Sequence, residues 1–258
     1  MPLDRTAAVV IGSFPLGESD LCVTFFARSH GKVRGVARHA RRMRSRFGGA
    51  LEAFTLGELI FFDGGRSDLV QVDHFDIVRP FPRLRESLEA LGQAAWIAEC
   101  VGRLTAERDP QPAVYGLLTR ALTSIDGGQP PARVAAAFGV RCIDALGHRL
   151  RLDRCVGCGT RGEPVAHGTA LDVAGGGIVC ARCAAATPGT LPATPESLGA
   201  LRRLRGCSWP EAVATPLGHA EGELRRLVEA HVAHLSGRPA RATRFLEEVG
   251  KFTAGLTR

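Results

Sequence analysis

Residues 155–183 read CVGCGTRGEPVAHGTALDVAGGGIVCARC, and the two Cys-x-x-Cys pairs in this stretch set the reading of the whole chain. Cys155 and Cys158 form one pair and Cys180 and Cys183 the other, with 21 residues between the pairs. Each pair can turn two thiolates onto one metal ion from a tight turn. Two such knuckles complete a tetrahedral all-sulfur shell that suits zinc. Gly157 and Gly159 loosen the first knuckle, and Gly175-Gly176-Gly177 reads as a turn feeding a short strand into Cys180. The interval is slightly longer than the roughly 15–20 residues of common ribbon spacing, so a long hairpin is expected between the knuckles. Redox chemistry is the rival reading, but one Cys-x-x-Cys suffices for it and no βαβ pattern surrounds either pair. With four cysteine ligands the shell is closed to a catalytic water, so the expected Zn2+ is structural, one per chain. His167, between the knuckles, is a weaker candidate ligand.

Outward from this module, the 258 residues are enough for more than one core. No targeting segment is expected at the N-terminus, where the apolar run 7–11 is short and follows Asp4. No apolar run approaches the roughly 20 residues of a membrane span. Eight cysteines without an export signal point to a reducing cytoplasm. Cys22, Cys100, Cys142 and Cys207 lie in apolar contexts and read as small buried hydrophobes.

Residues 1–80 carry the β signal. Short runs rich in Val, Phe and Ile at 6–14, 21–28, 31–38, 53–62 and 69–78 are separated mostly by Gly or Asp. Such a set suits a small closed barrel, either an OB-fold or an SH3-like barrel. Beyond Pro82 the period becomes helical. Leu84, Leu88, Leu91, Ala95 and Ala98 trace one face, Leu117, Leu118, Ala121, Leu122 and Ile125 a second, and Val134, Phe138, Cys142 and Ala145 a third. Further helices are expected at 195–205 and 220–235. The chain therefore reads as α+β and multidomain: an OB-type barrel over 1–80, then a helical domain over 81–152 and 191–258, with the four-cysteine zinc module inserted at 153–190.

Charge supplies the second functional signal. The net charge is +7, and 31 of the 33 basic residues are arginine, as a GC-rich genome would also produce. Composition does not explain clustering. No acidic residue occurs between Asp20 and Glu52, whereas Arg28, Lys32, Arg34, Arg38, Arg41, Arg42, Arg44 and Arg46 all fall there. Strand parity places Lys32, Arg34, Val36 and Arg38 on one face. A basic strand face running into a basic loop can follow a phosphate backbone. The phenylalanines of the barrel read as core. A second basic cluster, Arg238, Arg241 and Arg244, is a subsidiary candidate. No Gly-x4-Gly-Lys-Ser/Thr loop occurs, and His219-Ala220-Glu221 follows the cysteine pairs where a zinc deaminase has its His-x-Glu before them, so no enzyme is expected.

Several pieces occur in one order: Gly17-Glu18-Ser19-Asp20-Leu21 with Thr24, His30-Gly31-Lys32, Ala40-Arg41-Arg42, Ser45-Arg46-Phe47, Leu51-Glu52-Ala53-Phe54, Leu146-Gly147, Leu152-Asp153-Arg154-Cys155 and Gly237-Arg238-Pro239. As an ordered set they resemble the RecO family of bacterial recombination-mediator proteins. The resemblance implies binding of single- and double-stranded DNA, annealing of complementary strands, contact with single-strand-binding protein, and, with RecR, help in loading RecA. It implies a cytoplasmic, nucleoid-associated site of action. An apolar groove in the helical domain, rimmed by Arg120, Arg133 and Arg141, is a candidate seat for the acidic tail of single-strand-binding protein. A small barrel with a zinc ribbon also suits an RNA-binding or transcription-associated protein, which is the alternative reading, and a thiol-disulfide enzyme is a third.

Overall fold

Alternation decides the barrel. On each of the first strands one set of side chains is apolar and the other polar, so each strand offers one face to a common interior. In the computed structural model, which describes residues 3–65, 67–160, 168–243 and 245, these strands are β1 (Leu3–Leu16), β2 (Asp20–Ala27), β3 (Gly31–Ala37), β4 (Leu56–Phe62) and β5 (Leu69–Arg79). They close in the order β1-β2-β3-β5-β4, with β4 returning to β1. All pairings are antiparallel except β3 with β5. This is the Greek-key barrel of the OB-fold, as expected. Its core holds Ala8, Val10, Val23, Phe25, Val33, Ala37, Leu59, Phe61, Val70, Val72 and Phe75.

β1 is longer than its apolar run suggested because it serves two partners. Residues 3–9 pair with β4 and residues 8–16 with β2, with a register shift between Val10 and Gly12. The expected strand at 53–62 begins only at Leu56, because Phe54 takes a left-handed φ of 71°. Between β3 and β4 the chain makes successive i→i+3 turns, such as Ser45 N–H to Arg42 O and Ala50 N–H to Phe47 O. Phe47, Ala50 and Leu51 from this segment enter the barrel core.

Two compact units divide the chain, Met1–Gly127 and Gly128–Arg258. The first therefore contains α1 (Leu88–Leu104) and α2 (Pro112–Asp126) together with the barrel. A short 3₁₀ turn at Pro82–Arg85 precedes α1, and the Ser87 side chain caps α1 by accepting from Ala90 N–H. That turn interrupts the helical period. Leu84 and Leu88 consequently do not share the expected face: Leu84 is buried, whereas Leu88 is 57% exposed. The buried side chains of α1 include Ala90, Ala94, Ile97 and Val101. The segment after α1 lies along β3, with Arg108 N–H donating to Lys32 O and a parallel bridge between Lys32 and Glu107.

In the second unit α3 (Pro131–Ala145) packs against α5 (Pro195–Gly206), α6 (Trp209–Ala214) and α7 (Ala220–Ser236). The faces expected on α3 and α7 are buried at Val134, Phe138, Cys142, Leu224, Leu227, Val228 and His231, although Ala145 is exposed. Arg133 and Arg141, expected at the rim of a groove, are engaged with backbone carbonyls. Arg141 donates to the carbonyls of Leu204, Cys207 and Ser208, and Arg133 to those of Val213 and Ala214. Between α3 and α5 lie β6 (Ala170–Asp172), β7 (Gly177–Val179), α4 (Ala181–Ala186) and β8 (Leu191–Pro192), with sheet order β7-β6-β8.

Gly31 ties the barrel to the segment after α1. Its φ is +64°, and a Cβ there would come within 2.0 Å of Asp109 O. Gly31→Ala is expected to lower stability by about 2 kcal/mol or more, measured by urea unfolding.

Candidate metal centre and nucleic-acid interface

The first knuckle is built by backbone hydrogen bonds. Cys155 N–H donates to Thr160 O at 3.0 Å, Gly159 N–H to Cys155 O at 2.9 Å, and Val156 N–H to Ile178 O at 2.8 Å. Gly157 has no side chain where a Cβ would lie 3.1 Å from the Cys183 sulfur, and Gly159 turns with φ +74°. The second knuckle is a helix start: Cys180 caps α4 and Cys183 sits in its first turn. The hairpin β6–β7 bridges the two. The result is that the Sγ atoms of Cys155, Cys158, Cys180 and Cys183 all lie within 4.8 Å of one another.

Four thiols at this distance cannot all ionise without a cation. Hydrogen bonds from the Thr160 hydroxyl and backbone pull Cys158 down to about 6. Burial pushes Cys155 up, but N–H groups of Cys180 and Cys158 outweigh it and hold the thiol below its ordinary value. Hydrogen bonding with Cys155, then with Cys180 and Cys158, pushes Cys183 up to about 12. Arg182 lies against the Cys158 sulfur, and that contact raises its own pKa. Cys158 and Cys180 sulfurs are 3.9 Å apart, far beyond the roughly 2.05 Å of a disulfide. A tetrahedral metal with bonds near 2.3 Å would set sulfur atoms about 3.8 Å apart. The donor set therefore fits one metal ion. His167 lies outside the described residues. Of the other cysteines, Cys22, Cys100 and Cys142 are buried and Cys207 is half-buried.

The cationic segment divides in two. Its strand half is engaged within the chain. Lys32 Nζ donates to Gly102 O at 2.7 Å and Thr105 O at 2.9 Å, lies 3.5 Å from Glu107, and its side chain is only 13% exposed. Arg34 Nε also faces Glu107 at 3.4 Å, an ion pair too loose for a hydrogen bond, beside a cleft of about 550 Å³ lined by Asp63, Asp68 and Arg108. The acid-free window in sequence is thus not acid-free in space, because Glu107 arrives from beyond α1.

The loop half is open. Arg28, Arg38, Arg41, Arg42, Arg44 and Arg46 are exposed. The loop is nevertheless anchored. Arg41 N–H donates to Ser19 O at 2.9 Å, and the Arg41 guanidinium reaches Gly17 O and Glu18 O. His39 N–H donates to Asp20 Oδ1 at 2.7 Å, which holds that carboxyl below the usual range. Arg46 stacks on Phe47 and faces Asp73 at 3.9 Å. Arg42 and Arg44 have no ion-pair partner among the described residues. In the second cluster, Gly237 ends α7 in the left-handed region, and Arg238 and Arg241 are exposed beyond it. Arg244 lies outside the described residues. Most barrel phenylalanines are core, as expected, but Phe14 is 52% exposed.

Sequence reasoning missed α6, whose capping box at Ser208 and Glu211 was visible in Ser208-Trp209-Pro210-Glu211. Nothing local signalled the role of Glu107.

The fold and site define a two-unit protein with a closed OB-type barrel, an exposed arginine loop and a helical unit that carries a four-cysteine cluster. Residues 1–81 match the family described as Recombination protein O N terminal, and residues 85–244 match Recombination protein O C terminal. The chain belongs to the RecO family. The DNA repair protein RecO of Anaeromyxobacter sp. (strain K) is 37% identical over 248 residues, covering 95% of this chain and 96% of the relative. The DNA repair protein RecO of Geobacter sulfurreducens is 34% identical over 250 residues (95% and 98%), and that of Myxococcus xanthus 32% over 244 residues (94% and 96%). No helix among the described residues is long and apolar enough to cross a membrane.

Lys32→Met is expected to leave Gly102 O and Thr105 O unsatisfied and to cost about 1–3 kcal/mol, read by denaturant unfolding. Loss of DNA affinity at unchanged stability would instead mark the ammonium as free for a ligand.

Proposed function

We propose that the chain is a non-enzymatic mediator that binds single- and double-stranded DNA, anneals complementary strands, and, together with RecR, assists RecA loading on strands coated by single-strand-binding protein. It acts in the cytoplasm, at the nucleoid. The observation that carries the DNA-binding part is the arginine loop. Arg38, Arg41, Arg42, Arg44 and Arg46 project from one anchored segment, and Arg42 and Arg44 have no ion-pair partner among the described residues. Arg28 extends the cationic surface and Arg34 borders it beside Glu107, whereas Lys32, bound to Gly102 O and Thr105 O, supports the strand from within. Arg238, Arg241 and Arg244 form a second contact.

Contacts of this type go to phosphates and carry little sequence information. If about four to six phosphates are neutralised, the log–log salt slope is about −3 to −4 on single strands. Replacing Arg41, Arg42 and Arg44 together by alanine is expected to weaken binding on every sequence and flatten that slope, while the fold survives. Fluorescence anisotropy across a salt series measures both. A folded triple variant with wild-type affinity and slope would move the assignment to Arg238 and Arg241.

The metal is Zn2+, one per chain, held by Cys155, Cys158, Cys180 and Cys183. Bound there it would neutralise thiolate charge and fasten the Cys155–Cys158 knuckle to the start of α4. An all-cysteine shell leaves no open position for substrate, which supports a structural and non-catalytic role. Because thiolates bind and protons leave, affinity should fall as pH falls. Elemental analysis of protein purified without chelator is expected to give one equivalent of zinc. Cys158→Ser should lower that content and loosen the module, seen as faster proteolysis between 153 and 190.

A further inference from the structure

Phe14 is the one barrel phenylalanine with more than half its surface exposed among the described residues, and the strand register shows what surrounds it. On β2 the core takes Val23, Phe25 and Ala27, so Asp20, Cys22, Thr24 and Phe26 face outward. On β3 the core takes Val33 and Ala37, which leaves Lys32, Arg34 and Val36 outside. The shift between Val10 and Gly12 brings Gly12, Phe14 and Leu16 opposite Thr24, Cys22 and Asp20, on the same outer face. Cross-strand rows follow: Val9 with Phe26 and Lys32, Gly12 with Thr24 and Arg34, and Phe14 with Cys22 and Val36.

One end of this face is covered. Val9 and Phe26 are fully buried there, and Lys32 is bound to the carbonyls after α1. The other end is open. Phe14 is 52% exposed, Leu16 39%, and Val36 is half-buried, while Cys22 between Phe14 and Val36 is closed off at 2%. The open end is bordered by guanidinium groups. Arg38 follows β3, and Arg41 grips the β1–β2 turn at Gly17 and Glu18. Met43, fully exposed, stands between Arg42 and Arg44 at the loop. The one acid in the outer rows here, Asp20, has its Oδ1 taken up by His39 N–H and the Ser19 hydroxyl.

We propose that this open end of the β1–β2–β3 face is a base-contacting platform for single-stranded nucleic acid, with the Phe14 ring stacking on an unpaired base and Leu16 and Val36 flanking it. The occupant follows from the chemistry. A polyanion is required by the arginine border, and an apolar ring surface offered beside it is matched by a base whose face is free. A duplex hides its base faces within the stack, so it can use the arginines but not Phe14. The inference rests on the arginine loop being the phosphate contact, and it adds a term that depends on bases and not on charge.

The test compares strands of equal charge. Wild-type, Phe14→Ala and Phe14→Trp full-length proteins are titrated with oligo-dT, with an abasic oligonucleotide of the same length, and with duplex. Phe14→Ala is expected to weaken oligo-dT binding by roughly 5- to 150-fold, the range of one base–aromatic contact, and to leave abasic and duplex affinities and the salt slope unchanged. Phe14→Trp is expected to restore oligo-dT affinity. Its added emission, taken as the difference from the wild-type protein with its two tryptophans, should be quenched by oligo-dT and not by the abasic strand. Equal loss on all three ligands, or no loss on oligo-dT, overturns the proposal. Thermal unfolding of each variant separates a folding defect from a lost contact. The arginine reading is scored separately by the salt slope of the triple arginine variant on the abasic strand, so failure of the phosphate contact and failure of the platform give different results.

Discussion

The barrel closes through three residue pairs between β3 and β5, and that closure requires the absence of a side chain at Gly35. A Cβ at that position would stand 2.6 Å from the Val72 side chain and 2.9 Å from that of Val70. The seam is short, parallel and made by strands far apart in sequence, so it carries a high loop-closure cost with little hydrogen bonding to offset it. Everything outside depends on it. Closure fixes which face of β3 is interior, and so delivers Lys32 to the carbonyls after α1 and Arg34 to Glu107.

What was legible in the sequence was local. The alternation around Val33, Gly35 and Ala37 gave the correct inside and outside of β3, and the cysteine spacing brought four sulfur atoms into one cluster. The helical faces of α3 and α7 were readable from period alone. What was not legible depends on partners distant in the chain. The gap in acidic residues from Asp20 to Glu52 suggested an unopposed cationic surface, yet Glu107 opposes Lys32 and Arg34. Likewise Arg133 and Arg141 read as groove-rim residues for an acidic tail, whereas they satisfy carbonyls at the ends of neighbouring helices. An arginine's five donors make it as useful for capping backbone as for binding an anion, and sequence does not distinguish those uses.

The two functional regions solve opposite electrostatic problems. At the cysteine cluster, four sulfur atoms are gathered where Thr160 and the knuckle amides favour the thiolate at Cys158 and Cys155. On the arginine loop, positive charge is gathered and kept near solvent. Backbone anchors through His39 and Arg41 hold that loop in place without using the side chains of Arg42 or Arg44. Both sites are therefore shaped before a ligand is present, and binding loses less conformational freedom than it would from a slack segment.

The register shift at Val10 and Gly12 has a consequence for how such a barrel can diverge. Because side chains alternate with period two, a single residue gained or lost in a strand exchanges its two faces beyond that point. Losing one residue beyond that shift, such as Ser13, would turn Phe14 and Leu16 inward and Pro15 to the surface. A family of barrels sharing the same core could thus switch an aromatic between holding the protein together and meeting its ligand by one codon inserted or deleted, with no substitution at the aromatic itself.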